Sequence, residues 1–426
     1  MQNANNTLRF AGDVNIEKIQ IITPTGFFHD VSNQVIALQI YEDLFSPFIT
    51  GSIILKESLD LINVFPFIGE EFLELSVSTP NATRGNISAK FYIYKMTNRE
   101  LLGDRSMVYQ LHFISQEAIV DMNKKISKTF SGKVSDIAKT LLTDEKVGFE
   151  TTKGINIEET SNSIKFISNF WSPIKNLIYS TQHALNKNNS PSYIFFENRD
   201  GFNFISLESL NSNQSYQEFY YDNYTRDDRD GGGSVKNLDK DYQRIQSISI
   251  PEGFDYIERI RNGMYGSLMY THDITSKKLA SKNFNMLDNF SEEIHLNEFP
   301  VASAKTIFRY SSLILNEQKY YNNFSNFGDV TDTSFLQKRI SLLKLAETNK
   351  VEITVPGRTD YTVGQKVTLR LNKMQPFGEE ESEVLDNVFS GNYLISAINH
   401  YINRENHECH MELIKDSLLL NLDGKK

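Results

Sequence analysis

From Ile19 to Ser115, short runs of β-branched and aromatic residues partly alternate with polar ones, the two-residue period of strands with one buried face. Val35-Ile36-Ala37-Leu38-Gln39-Ile40, Ile53-Ile54-Leu55, Phe72-Leu73-Glu74-Leu75-Ser76-Val77, Phe91-Tyr92-Ile93-Tyr94 and Val108-Tyr109-Gln110-Leu111-His112-Phe113 are such runs. Turn residues punctuate them at Pro47, Gly51, Pro66, Gly69, Pro80-Asn81, Arg84-Gly85-Asn86 and Leu102-Gly103-Asp104. Short strands at this even spacing predict a small antiparallel barrel over residues 1–117, because closure hides sheet edges that otherwise stay unpaired.

The period changes after Glu117. Ser131 is placed to cap a helix whose apolar residues Val134, Ile137, Ala138, Leu141 and Leu142 share one face of a 3.6-residue repeat. A second helix starts at Ser172-Pro173, with proline at the first helical position, where no N–H is missed. Two strands, Tyr193–Phe196 and Phe202–Ile205, flank Glu197-Asn198-Arg199-Asp200-Gly201 and read as a hairpin. Residues 118–210 are therefore expected to form an α+β unit.

Residues 211–241 are polar and charged around Arg226–Ser234 and read as a long loop. A short helix near Asp255–Ile260 stops at Asn262-Gly263, and Gly266–His272 resumes as strand. Leu279 to Phe327 reads as irregular, and Asp332 or Thr333 as the cap of a helix running to Asn349. Val351–Val355, Lys366–Leu371, Tyr393–Ile402 and Glu408–Ile414 are strands again. Phe48–Leu55 followed by Phe67–Leu75 is echoed by Met264–Tyr270 followed by Thr362–Leu369: both read Gly-Ser-apolar-apolar, then apolar-Gly-x-x-apolar-x-Leu. The echo predicts a second barrel split between residues 242–285 and 350–420, with an insertion at 286–349 and a tail at 421–426. The fold class expected is thus α+β and β-rich: two small antiparallel tube-type barrels plus smaller α/β domains.

Composition narrows the function. The 426 residues are enough for about three domains of ~150 residues each. Hydrophobic residues at 39%, with 29 Phe and 20 Tyr, exclude wholesale disorder. The net charge of −10 disfavours general nucleic-acid binding, since an acidic surface repels phosphate. One cysteine, Cys409, allows no internal disulfide. Met1–Thr7 lacks the pattern of a signal peptide, and no run approaches the ~18 apolar residues of a membrane span, so synthesis in a reducing cytoplasm without stable membrane insertion is expected.

Catalytic signatures are sparse. The Gly-x-Gly-x-x-Gly, Gly-x4-Gly-Lys-Ser/Thr, His-Glu-x-x-His and Gly-x-Ser-x-Gly patterns are absent. Gly231-Gly232-Gly233 has no lysine at a phosphate-cradling position and reads as flexible loop. His272-Asp273 would point to opposite faces of a strand, and Glu70-Glu71 and Glu379-Glu380-Glu381 flank turns, where solvated charge is the default. His400, His407, Cys409 and His410 are the one cluster of metal-ligand types. If Arg404-Glu405 turns a hairpin, His400 faces Cys409, and His407 shares that face with Ile398, Ile402 and Met411. With no evident fourth ligand, His400, His407 and Cys409 are expected to be metal-free and packed. No catalytic residue, cofactor or metal is therefore expected.

The strand-rich start, Trp171-Ser172-Pro173 opening a helix, the Glu197–Gly201 hairpin, Phe254-Asp255-Tyr256-Ile257 leading to Asn262-Gly263-Met264-Tyr265-Gly266-Ser267, and the strands from Gly364 to Leu413 together resemble the baseplate hub protein of contractile-tailed (myovirus-type) phages. The resemblance implies a structural, non-enzymatic virion protein with two tube-like barrels per chain. It also implies a homotrimer around a channel for DNA passage, set between the tail tube and the central membrane-puncturing spike and touching other baseplate subunits. Three chains of two barrels give six quasi-equivalent units, which match a sixfold tube on one side and a threefold spike on the other. The alternatives are the hub of a related contractile injection or secretion system, a cell-wall glycan hydrolase built on two carboxylates, or a receptor-binding adsorption protein. For the last, the single Trp171 sits at a helix start, where packing explains it.

Overall fold

The alternation in the first hundred residues sets which faces are buried. In Phe72–Ser78, for instance, Leu73, Leu75 and Val77 are buried while Glu74 and Ser76 are partly exposed. The structure, a computed structural model, describes residues 8–58, 67–80, 85–103, 105–221, 238–251, 253–273, 277–303, 312–317, 334–373 and 385–424. The middle of the expected loop with Gly231–Gly233, the cap candidates Asp332 and Thr333, and Glu379–Glu381 lie outside those residues.

Seven strands form the first half of a 13-stranded sheet: β1 (Asn15–Ile22), β2 (Phe28–Asp30), β3 (Val35–Asp43), β4 (Thr50–Glu57), β5 (Phe72–Ser78), β6 (Ile87–Leu102) and β7 (Ser106–Ser115). Their spatial order is β3-β4-β7-β6-β5-β1-β2, all antiparallel, around an apolar core that includes Leu38, Ile53, Leu75, Phe91 and Phe113. Gly51 lies inside β4 and not in a turn. A Cβ there would overlap the Phe113 ring and the Gln39 carbonyl, so the close approach of strand and ring requires glycine.

The next unit opens with helix α1 (Gln116–Asn123). It continues with β8 (Ile126–Lys133), α2 (Val134–Thr143), β9 (Ile155–Ile157), β10 (Ser163–Trp171), α3 (Pro173–Gln182), β11 (Tyr193–Asn198), β12 (Gly201–Ser206) and α4 (Leu207–Ser212). Helix α3 starts at Pro173 and Gly201 takes φ +124° in the hairpin turn, both as the sequence implies, and the Ser172 side chain adds a cap by accepting from the Lys175 N–H. Ser131 is not a cap: it lies in β8, paired with Lys165, and α2 starts after Lys133 with no side-chain cap. The apolar face of α2 still packs where its period places it, against Phe130, Phe166 and Leu177.

The second half of the large sheet is gathered from separate stretches. Strand β13 (Gln217–Tyr220) and helix α5 (Leu238–Gln243) occupy the ends of the expected loop, followed by β14 (Ser247–Ser249). The remaining strands are β19 (Asn349–Pro356), β20 (Lys366–Arg370), β21 (Gly391–Asn403) and β22 (His407–Lys415). The order is β14-β19-β22-β21, with β20 also on β21 and β13 parallel to β20. Pairing of β21 with β3, from Ala397↔Asp43 to Asn403↔Ala37, fuses both halves into one sheet. The α+β, β-rich class is as expected: the halves curl around distinct cores and share a seam, no ladder closes either one among the described residues, and in the second half a bridge from Tyr220 to Arg244, with the Ile245 N–H donating to the Tyr220 carbonyl at 3.0 Å, joins β13 to the segment entering β14.

The internal echo fails for a topological reason. Helix α6 (Tyr256–Arg261), capped by Asp255, ends at Gly263 with φ +76° and leads into β15 (Gly266–Asp273). This strand pairs with β16 (Lys278–Asn285) and β18 (Ser312–Glu317) in a sheet of its own, so it is no counterpart of β4. The stretch read as irregular thus contains β16, a short helix α7 (Met286–Asn289), β17 (Phe299–Pro300) and β18. Helix α8 (Leu336–Ala346) lies on β15, where the buried Gln337 amide donates to the Ser267 carbonyl at 2.9 Å. The helix stops before Asn349, which already belongs to β19. No helix among the described residues is long and apolar enough to cross a membrane.

Candidate functional site

Asn403 organises the last hairpin: its side-chain oxygen accepts from the Glu405 and Asn406 N–H groups at 2.9 and 2.7 Å. The resulting register places His400 opposite Cys409 and Ile402 opposite His407, as the sequence implies for a turn at Arg404-Glu405. Because strand side chains alternate, His407 and Cys409 share a face with His400, and all three are buried completely. His400 Nδ1 stands 3.1 Å from His407 Nε2, and Cys409 Sγ stands 3.4 and 3.5 Å from those same two nitrogens. His410 points to the other face, exposed beside Thr354.

The walls of this cluster come from both halves of the sheet. Ile40 on β3 is opposite His400, and Val355 on β19 is opposite Cys409. Gly357 packs so tightly on the His407 ring that any Cβ there would overlap it. Burial is the main cause of the titration behaviour. It pulls His400 down to about 4, helped by the positive charge of Arg199, holds His407 well below its ordinary range, and pushes the Cys409 thiol up. Both imidazoles are therefore neutral at neutral pH.

A second set of buried polar groups flanks the cluster along the seam. Glu42, on the inward register of β3, accepts from the Thr362 hydroxyl and from the Val363 N–H at 3.2 Å. Burial raises its carboxyl to about 7. Arg358 grips Asp360 through two bonds of 3.0 and 2.6 Å, Tyr216 donates to the same carboxylate at 2.7 Å, and Thr79 and Thr359 bond reciprocally across the halves. The Arg199 guanidinium of the β11–β12 hairpin donates to the Thr359 carbonyl. A third cluster lies between the first half and the α+β unit: Lys153 Nζ is 2.6 Å from both Glu117 and Glu197, and Glu197 also accepts from the Ile49 N–H at 3.0 Å.

These groups were missed by motif reading, although one signal existed. Glu42 falls in phase with Leu38 and Ile40, so a carboxylate on the core side of a strand was legible. The Lys153 clamp joins residues far apart in the chain and had no local signal.

The other candidates do not converge. His272 is exposed on β15, and the Asp273 side chain is not among those described. Glu70 is exposed, while the buried Glu71 caps a turn by accepting from the Ile68 and Gly69 N–H groups at 2.9 and 3.0 Å. Trp171 packs against Phe166 and Tyr179, with Lys175 Nζ 5.0 Å from its ring centre. Among the described residues, His400, His407 and Cys409 are the group whose His, Cys, Asp or Glu ligand atoms come together.

No family model matches the chain. It is similar to the probable baseplate hub protein gp334 of Vibrio phage KVP40, with 22% identity over 415 residues that make up 92% of each chain. Its fold matches a tail protein from Neisseria meningitidis MC58 with a TM-score of 0.55 and 12% identity, covering 94% of this chain and 96% of the other. The 43 kDa tail protein of prophage MuSo2 from Shewanella oneidensis matches with a TM-score of 0.54 and 8% identity, covering 94% and 98%. The chain thus resembles the baseplate hub proteins of contractile-tailed phages along nearly its whole length, and it has the fold of phage tail proteins.

Proposed function

We propose that the chain is the structural hub of a phage tail baseplate, a homotrimeric ring that joins the tail tube to the central spike and encloses a channel for DNA. The observation that carries this reading is the similarity to a probable baseplate hub protein over 92% of both chains. The continuous sheet suits such a part. Its halves are tied by the β3–β21 ladder and by buried polar bonds across the seam, so force applied at one half passes to the other without a flexible linker. The decisive measurement is native mass with and without the spike protein: three times 49.0 kDa is expected, and a persistent monomer at high concentration in both samples overturns the trimer.

The hub has no catalytic activity of its own. The buried carboxylates Glu117, Glu197, Asp360 and Glu71 are engaged by Lys153, Arg358 or turn N–H groups, which leaves them poorly placed as acid–base pairs. Incubation with peptidoglycan, peptides and nucleotides is expected to give no turnover; turnover abolished by replacing Asp273 or Glu380 overturns this.

A further inference from the structure

We propose that His400 Nδ1, His407 Nε2 and Cys409 Sγ are three ligands of a structural zinc-type metal site at the seam of the sheet. The sequence alone favours a packed, metal-free hairpin, but the side-chain geometry carries the cluster further. Ligand nitrogens at about 2.0–2.1 Å and sulfur at about 2.3 Å from a tetrahedral ion stand roughly 3.3–3.6 Å from one another. The observed triangle, with edges of 3.1, 3.4 and 3.5 Å, has the dimensions of one face of that tetrahedron.

Hydrogen bonding accounts for the triangle poorly. Each imidazole nitrogen has one in-plane position, held by either a proton or a lone pair, so it cannot direct a good bond to two neighbours at once. The 3.1 Å imidazole contact and the Cys409 Sγ contact to the Arg358 carbonyl at 4.0 Å are the bonds available without an ion, and an ion above the triangle would replace them with three ligand bonds. The outward nitrogens, His400 Nε2 and His407 Nδ1, have no partner at full hydrogen-bond geometry; the Tyr361 backbone acts on His400, and Gly357 packs on the His407 ring. Soft thiolate with two imidazoles selects a zinc-type ion over magnesium or calcium.

Placement agrees, while the surrounding charge is mixed: Asp360 is already paired with Arg358, and the carboxyl of Glu42 lies across the seam from it. The ligands span both strands of the last hairpin, which pairs with β3, so the ion would pin that hairpin beside the ladder joining the halves.

The test is elemental analysis of the full chain, expressed in zinc-supplemented medium and also refolded with zinc, each then dialysed exhaustively. About one zinc per chain is expected in the wild type, with loss in Cys409→Ser and His407→Gln. Refolding with cobalt(II) in place of zinc should give a thiolate-to-cobalt charge-transfer band, which is readable on the wild type even if the variants do not fold. Absence of stoichiometric metal and of the cobalt band in the wild type overturns the proposal. So does zinc retained in full by a folded Cys409→Ser chain, which would place the metal elsewhere.

Discussion

The first half of the large sheet takes all seven strands from one stretch, Asn15–Ser115, whereas the second half assembles strands from Gln217 to Lys415 around an excursion that builds another sheet. Both halves bury apolar cores of comparable make-up, so burial alone does not distinguish them. Loop closure does: pairing β13 with β20 or β14 with β19 orders long intervening segments first, while the hairpins of the first half close over a few residues. The second half also concentrates buried polar groups at the seam, including Asp360, His400 and His407, where the first half contributes chiefly Glu42. Direction-dependent polar contacts fix how pieces brought from afar must meet.

The largest effect is expected outside the seam, at the clamp that ties the α+β unit to the first half alone. Lys153→Ala leaves Glu117 and Glu197 facing each other without their shared cation, a loss of about 3 kcal/mol in stability. Chemical denaturation gives the magnitude. Hydrogen exchange locates it: protection should fall in the α+β unit and around Ile49 while β19 to β22 stay protected. Uniform loss over both halves would mean that they unfold as one unit and that their difference in assembly has no energetic counterpart.

Glu42 tests the seam. Its carboxyl has a folded-state pKa of about 7 against an ordinary 4.5, so the native state holds this proton more tightly than the unfolded chain. The associated stability is fully present below about pH 4.5 and is lost as pH rises through 7, amounting to at most about 3 kcal/mol. Glu42→Gln keeps an acceptor for Thr362 and Val363 but removes the titration. Relative to wild type, the variant should gain stability between pH 5 and pH 8 in urea denaturation. A wild-type-minus-variant difference that does not change with pH would show that Glu42 is not the titrating group.

How far the sequence could be read follows the same division. The strands β3 to β7, the start of α3 and the β11–β12 hairpin rest on local chemistry, namely alternation, Ser172-Pro173 and Gly201, and they are legible, whereas β1 and β2 were not read as strands of their own. The register of the His400–Cys409 hairpin was legible because one turn fixes every pair after it. What was not legible is the destination of a strand: Gly266–Asp273 carries the same local pattern as Thr50–Glu57 but is paired into a different sheet. Gly51 misled in a similar way, since a glycine demanded by the Phe113 ring looks like a turn glycine until the ring is placed.

Gly51→Ala therefore probes the first half in isolation. The added Cβ overlaps Phe113 and the Gln39 carbonyl, which costs about 1–3 kcal/mol through forced repacking. Gly85→Ala, which meets nothing within 4 Å, should stay within about 0.5 kcal/mol. Equal melting temperatures for the two variants would show that the β4–β7 contact relaxes freely.

The smallest expected effect is a null result, and it asks whether the two halves serve one purpose. If both line a passage for DNA in the proposed trimer, neither can present a basic inner face, because neutralising phosphates releases counterions and would hold the polymer instead of letting it slide. The chain carries a net charge of −10, and three copies multiply that surplus. Screening over about 8 Å at physiological salt leaves most of a narrow channel within reach of its walls. A neutral to acidic lining repels weakly, so the purified protein should show no appreciable affinity for duplex DNA even at low salt. Tight, steeply salt-dependent gel-shift binding would reveal a basic lining. If that binding then survived reversal of the exposed lysines on one half and vanished on reversal of those on the other, the halves would have to be assigned different work.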